Sequence, residues 1–360
     1  MKLRIWKLLL AVTLITALTF QLTGCGKSED SSNTTEETSS IPGSSGEQKE
    51  NKPDVVNIGF QVIPNGEILA KAKGWYESEL GVKVNFKQFD SGRDVNTAFA
   101  SNSIDFGLVG SAPTSVGISR GIAYEVFWIH DVIGAAESLA VKNSSNINSI
   151  KDLAGKKIAT PFASTAHYSL LNALKLEGVN PADVKILDMQ PPDILAAWQR
   201  GDIDGAYVWQ PTLGKLLEDG KVITDSSKLA EQGIITADFG LVSKSFAEKY
   251  PDIVVKYIKL QQKAYDLYNS NPDEAAEALG KELNIDKDEA LKQTKELVWL
   301  SGKEQLSDKY FGSSSNIGDL AKTLKSTADF LVEQKSIETA PDLEEFKKAI
   351  NPKFIEEALK

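Results

Sequence analysis

Residues 55–86 read VVNIGFQVIPNGEILAKAKGWYESELGVKVNF. The β-rich run Val55 to Phe60 gives way to a helical stretch from about Glu67 to Leu80, Gly81 stops it, and Val82 to Phe86 is again strand-like. A strand, a helix and a second strand in that order place the two strands parallel in one sheet. The same grammar continues outward. A helix is expected over about 93 to 101, and the strand Asp105 to Val109 runs into Gly110-Ser111-Ala112-Pro113 with a helix behind it. The strand Tyr124 to Ile129 follows. The pattern then restarts with strands at Lys156 to Thr160, Val184 to Leu187 and Gly205 to Trp209, separated by helices at 165–176 and 194–199. After a return strand at Leu241-Val242, apolar residues three and four apart predict helices at about 251–268, 273–281, 287–299, 316–334 and 342–358.

The fold class expected is therefore α/β and two-lobed, with a helical C-terminal tail. Lobe 1 is expected over 54–139 plus 241–360 and lobe 2 over 140–240. Two crossing segments, Ser138 to Lys142 and Phe239 to Ser243, would form the hinge, with the binding site in the cleft between.

Composition bounds the function. The chain has 360 residues, 41% hydrophobic and 25% charged, which excludes a disordered or collagen-like protein. Lys and Arg total 40 against 50 Asp and Glu; without the three leader cations Lys2, Arg4 and Lys7 the balance is 37 against 50, or −13. Such a chain has no electrostatic footprint for nucleic acid. One cysteine and two histidines leave too few ligands for a zinc cage, so neither a metal nor another cofactor is expected.

Residues 1–24 have the cations, the 13-residue apolar run Leu8 to Phe20 and the small-residue ending of an export signal. Leu22-Thr23-Gly24-Cys25 resembles a bacterial lipobox, which makes Cys25 a lipidation site and residues 25–53, rich in Ser, Thr, Glu and Asn, an anchor and flexible tether. The expected location is the extracytoplasmic face of a cell membrane.

Ligands of open α/β sheets bind beyond the carboxyl ends of strands. Gly110-Ser111-Ala112-Pro113 and Ala163-Ser164-Thr165-Ala166-His167 each put a hydroxyl residue at a helix start, where unpaired N–H groups and the dipole favour an anion. Ordinary capping explains such residues equally well. Trp209 and Gln210, just past a strand, offer an aromatic wall and an amide, and Gln61 follows the first strand. His167 is a ligand contact or a cap, and His130 is a packing residue. Glu137 and Asp238, beside the expected crossings, can accept from a cation. A pocket with helix starts at one pole and carboxylates at the other suits a small zwitterion.

Phe89-Asp90-Ser91-Gly92, Gly110 to Pro113, Pro161 to Ser169 and above all WQRGDIDGAYVW at 198–209 resemble the taurine-binding components of ABC importers for taurine and alkanesulfonates, over roughly 54 to 340. The resemblance implies the two-lobed, periplasmic-binding-protein-like type II plan of the α/β class, and a receptor that closes over taurine and hands it to a permease with a cytoplasmic ATPase. It implies that the sulfonate meets the starts at Ser111 and Thr165 while acids near Glu137 and Asp238 take the amine. The chain departs from the pattern at Val62 to Ile68 and in its C-terminal helices. The alternatives are a receptor for another alkanesulfonate, a nitrate-like anion or a pyrimidine, an adhesion or scaffold protein, and an enzyme resembling the thiamine-pyrimidine synthases, whose cysteine-rich pattern is absent.

Overall fold

The computed structural model describes residues 51–360. The expected export signal, the expected lipidation site Cys25 and nearly all of the expected tether lie outside the described residues. Among the described residues no helix is long and apolar enough to cross a membrane.

Two sheets organise these residues. The first has six strands in the order Leu297–Val298, Tyr124–Ile133, Ala237–Ser243, Phe106–Gly110, Val55–Phe60 and Lys83–Gln88. The second has five, in the order Lys185–Asp188, Lys157–Thr160, Gly205–Trp209, Glu137–Lys142 and Gly220–Asp225. Val55–Phe60 pairs parallel with Lys83–Gln88 and Phe106–Gly110, as the βαβ order requires. Lys157–Thr160 does the same with Lys185–Asp188 and Gly205–Trp209. Each parallel set is then extended by antiparallel pairing, through Ala237–Ser243 in the first sheet and Glu137–Lys142 in the second, with further strands paired antiparallel on their far sides.

Those two strands correct the expected crossings. Ser138 to Lys142 and Phe239 to Ser243 are ladder residues inside their sheets, not connectors. The chain passes between sheets at residues 134–136 and 232–236. Alternating apolar residues at both places read equally well as connector or strand, and only pairing decides. Gly134 belongs to the first connector because a Cβ there would stand 2.3 Å from the Glu296 carbonyl oxygen.

The first lobe's core gathers Phe106, Phe127, Tyr257 and Tyr76 under the sheet, with Phe106 and Tyr257 stacked at 4.6 Å. The second sheet is covered on both faces, by Leu170 and Tyr207 among others on one side and Trp198 and Ile194 on the other. Pro251–Ser270 forms the long helix its apolar spacing predicts, burying Val254, Tyr257 and Ile258. The expected helix at 342–358 is instead two, Leu343–Lys348 and Lys353–Ala358, interrupted at Pro352. That at 287–299 ends at Lys295, and Leu297–Val298 pairs with Tyr124–Ile133.

Candidate functional site

Between the sheets lies a cleft lined on the first-lobe side by Gln61, Ile63, Gly92, Gly110 and Asp238, and on the second by Glu137, Ser164, Thr165, Trp209 and Gln210. The lobes are in contact around it. Arg93 and Asp188 pair across the gap at 2.8 Å, and Gln190 Nε2 donates to Ser91 Oγ at 3.1 Å.

Glu137 opens the second sheet's antiparallel strand, 1% exposed. Three hydroxyls donate to its carboxylate: Thr165 at 2.5 Å and Ser226 at 2.9 Å, with Ser169 weaker at 3.4 Å. Burial pushes its carboxyl up to about 7 against those donors. Asp238, 6% exposed, starts the first sheet's antiparallel strand directly opposite Gly110. Burial, with Asp131, Glu137 and Glu67 as neighbouring acids, drives its carboxyl well above the ordinary carboxylate range.

The helix starts reach the cleft, though not as expected. Gly110, not Ser111, is the cap of helix Ser111–Ser119, and Ser111 lies inside the first turn. Its hydroxyl is 2% exposed and accepts a long hydrogen bond from the Ala237 N–H at 3.4 Å. Gly110 therefore lines the cleft where Ser111 was expected. Ser164 caps helix Thr165–Leu176 by accepting from the His167 N–H, and also donates to the Pro161 carbonyl at 2.6 Å. A third start, Gly92 of helix Gly92–Ala100, also lines the cleft; the quoted run Phe89 to Gly92 held this signal unread.

The expected separation of poles is corrected too. Thr165 serves an acid directly, and a Cβ on Gly110 would stand 2.8 Å from Thr165 Cγ2 and 3.4 Å from Asp238 Oδ1. Helix starts and carboxylates are side by side. A zwitterion with a short spacer needs that closeness.

Gln61 lines the cleft, and its Nε2 donates to the Leu108 carbonyl at 3.0 Å. Gln210 bridges the lobes, accepting from the Gly214 N–H at 2.9 Å and donating to Glu296 at 2.9 Å. His167 is not a lining residue: its ring stacks on Phe162 at 4.6 Å, Nδ1 accepts from the Ala163 N–H, and burial lowers it to about 4. His130 is buried as expected, lowered to about 3 by burial, with Nε2 4.0 Å from Glu67. Asp131, which the sequence reading passed over, lies behind Asp238 and is pushed up to about 7 by burial.

Among the described residues lining the cleft there is no Lys, Arg or His, and no acid, cysteine or histidine cluster with the makings of a metal site. The pocket holds carboxylates without a protein cation beside them. A cation carried by the ligand is what would balance them.

The family model described as NMT1/THI5 like matches residues 65–275. The chain is 44% identical over 218 residues to the taurine-binding periplasmic protein of Escherichia coli, covering 61% of this chain and 68% of that one. Its fold matches the alkanesulfonate-binding protein of Xanthomonas axonopodis pv. citri bound to MOPS at TM-score 0.70 and 21% identity, over 83% of this chain and 99% of that one. It also matches a desulfurization enzyme at TM-score 0.60 and 15% identity, over 85% and 99%. The two-lobed α/β plan is thus common to binding proteins and at least one enzyme, the 44% identity is to a binding protein, and the chain belongs to the NMT1/THI5-like family.

Proposed function

We propose that this chain is the extracytoplasmic receptor of an ABC importer, that it binds taurine in the interlobe cleft, and that it delivers it to a permease driven by a cytoplasmic ATPase. The observation that carries the reading is the pairing of two buried carboxylates, Glu137 and Asp238, with three helix starts in a cleft that has no basic lining residue. The ammonium would sit against the acids, with Gln61 as a further acceptor. The sulfonate, ionised at any biological pH, would take N–H groups at Gly92, Gly110 and Ser164-Thr165. Trp209 would wall the short carbon spacer. The 44% identity to a taurine-binding protein supports the same solute.

Receptors of this plan work by closure: a ligand touching both lobes stabilises the closed form by its differential affinity. The contacts of Arg93 with Asp188 and of Gln190 with Ser91 join the two lobes across the cleft. We assign the lobes by sheet membership, and Cys25 as the lipid-bearing residue that holds the receptor at the membrane.

A receptor for amine-free alkanesulfonates is the second reading. One observation favours it: Glu137 already has three hydroxyl donors and is satisfied without a ligand amine. An enzyme of the thiamine-pyrimidine-synthase kind is disfavoured, because no cysteine or histidine is among the described residues lining the cleft and Ser164, three residues before His167, spends its oxygen on backbone groups. Calorimetric titration of the protein with taurine, ethanesulfonate, nitrate and a hydroxymethylpyrimidine tests the assignment. Taurine is expected to bind in the micromolar range or tighter and ahead of the others. Ethanesulfonate binding as tightly as taurine would move the assignment to the second reading, and a response to the pyrimidine alone would overturn both.

A further inference from the structure

Strand register brings a second acid behind the one that faces the cleft. Asp131 is the direct antiparallel partner of Asp238, and opposed residues in such a pair project to the same face of the sheet. This pairing depends on an irregularity. Ile129 pairs with Phe239 and Asp131 with Asp238, so the strand carries one extra residue, His130, at that point. An unbroken ladder would have set His130 opposite Asp238. Bulges beside binding sites re-aim side chains in this way.

Asp131 is 0% exposed. Its Oδ2 accepts from Asn65 Nδ2 at 3.1 Å, and its Oδ1, buried, has no donor among the described residues. As directly opposed cross-strand residues on one face, the Asp131 and Asp238 side chains are neighbours, and each is buried with the other's acid beside it. Carboxylates are acceptors only, so a bond between two of them needs one proton held in common.

The groups around the pair offer no positive charge. Glu137 faces it from the second sheet and Glu67 from helix Gly66–Ala72; Asn65, which caps that helix, is neutral. His130 on the same strand is held neutral by burial. Glu296, from the C-terminal segment, is bound to Gln210. Closing the cleft over this many acids without a counter-charge is costly unless a cation or a proton enters with the ligand.

We infer that Asp131 is the residue that makes selection of an amine-bearing ligand proton-linked: closure over a sulfonate lacking an amine draws one proton from solvent onto the Asp131–Asp238 pair, whereas an ammonium on the ligand supplies the charge itself. This rests on the receptor reading above. The proton comes from bulk solvent on closure and returns to it on release, with no bond otherwise changed. Sign follows from linkage. A ligand whose binding takes up a proton binds more weakly as pH rises, by up to tenfold per pH unit, so preference for taurine over ethanesulfonate widens toward high pH and narrows toward low pH. Asp131 touches Asp238 rather than the ligand and is a positioning residue.

The test is calorimetry of taurine and ethanesulfonate from about pH 6 to 8.5 in two buffers of different ionisation enthalpy, which counts protons, on the wild-type protein and on Asp131→Asn. An asparagine there keeps an oxygen for Asn65 and offers an N–H to Asp238 in place of the shared proton. In the wild type, ethanesulfonate should take up close to one proton more than taurine, and the ratio of the two dissociation constants should rise severalfold per pH unit. In Asp131→Asn the ratio should become flat within about twofold, chiefly by tighter ethanesulfonate binding at high pH. Equal proton counts for the two ligands in the wild type, or a wild-type slope retained in Asp131→Asn, would overturn the inference while leaving a taurine receptor standing. Absence of taurine binding at every pH would overturn both.

Discussion

Asp238 is the residue on which recognition turns. It is buried, faces the cleft and has only acids and dipoles around it, so its most favourable partner is a ligand cation. Asp238→Asn keeps the shape and removes the charge. Losing one charge-assisted hydrogen bond from a buried pair should weaken taurine by about 10- to 100-fold, corresponding to roughly 1.4–2.8 kcal/mol. Ethanesulfonate, with no amine, should change little or improve. Competition binding of both ligands measures the difference, and equal losses would contradict an amine-reading role. Ser111 tells the opposite story. Its hydroxyl is turned to the Ala237 N–H and Gly110 holds the place at the cleft, so Ser111→Ala should leave affinity within about twofold and cost at most about 1 kcal/mol of stability. Gln61, Glu137, Ser164, Thr165, Trp209, Gln210 and Asp238, to which strand ends and helix starts in the sequence draw attention, all line the cleft. The sequence could not locate Asp131, because its place opposite Asp238 depends on a bulge that leaves no local signal.

At the scale of elements, the decisive contact is between two helix starts from different lobes. Gly110 precedes helix Ser111–Ser119 with ordinary φ of −64°, so alanine is not strained there by its backbone. A methyl at that position would instead meet Thr165 Cγ2 at 2.8 Å, closer than packed carbon atoms approach. Gly110→Ala should therefore impede closure and weaken taurine and ethanesulfonate by the same factor, about tenfold or more, while the ligand-free melting temperature stays within a few degrees. A selective loss for one ligand, seen by calorimetry, would mean that the helix starts are not a closure contact. The parallel strands and most helices were legible from hydrophobic period and glycine stops. The crossings were not, since Glu137–Lys142 and Ala237–Ser243 are apolar runs whose sheet membership depends on long-range pairing.

For the molecule as a whole, the buried acids fix how stability varies with pH. Burial raises Glu67 from 4.5 to about 8 and Glu137 from 4.5 to about 7. A carboxyl whose pKa is higher folded than unfolded binds more protons in the folded state between those values. Its contribution is complete below about pH 4.5 and is lost as pH rises through about 7 to 8. The ligand-free protein should melt several degrees lower at pH 8.5 than at pH 5, read by calorimetric scanning, and taurine should recover more of the loss than ethanesulfonate. A melting temperature that rises across that window would contradict this arrangement of acids. Arg93 and Asp188 are each more than a third exposed, so their pair is worth less than about 1 kcal/mol and does not by itself hold the lobes together.

A crystal structure of the protein grown with taurine tests the central claim most directly. The account predicts a zwitterion enclosed between the two sheets, with its nitrogen about 3 Å from a carboxylate oxygen of Asp238 or Glu137 and its sulfonate oxygens on the N–H groups of the helix starts. A ligand bound with its sulfonate toward those acids, or bound outside the cleft, would contradict it.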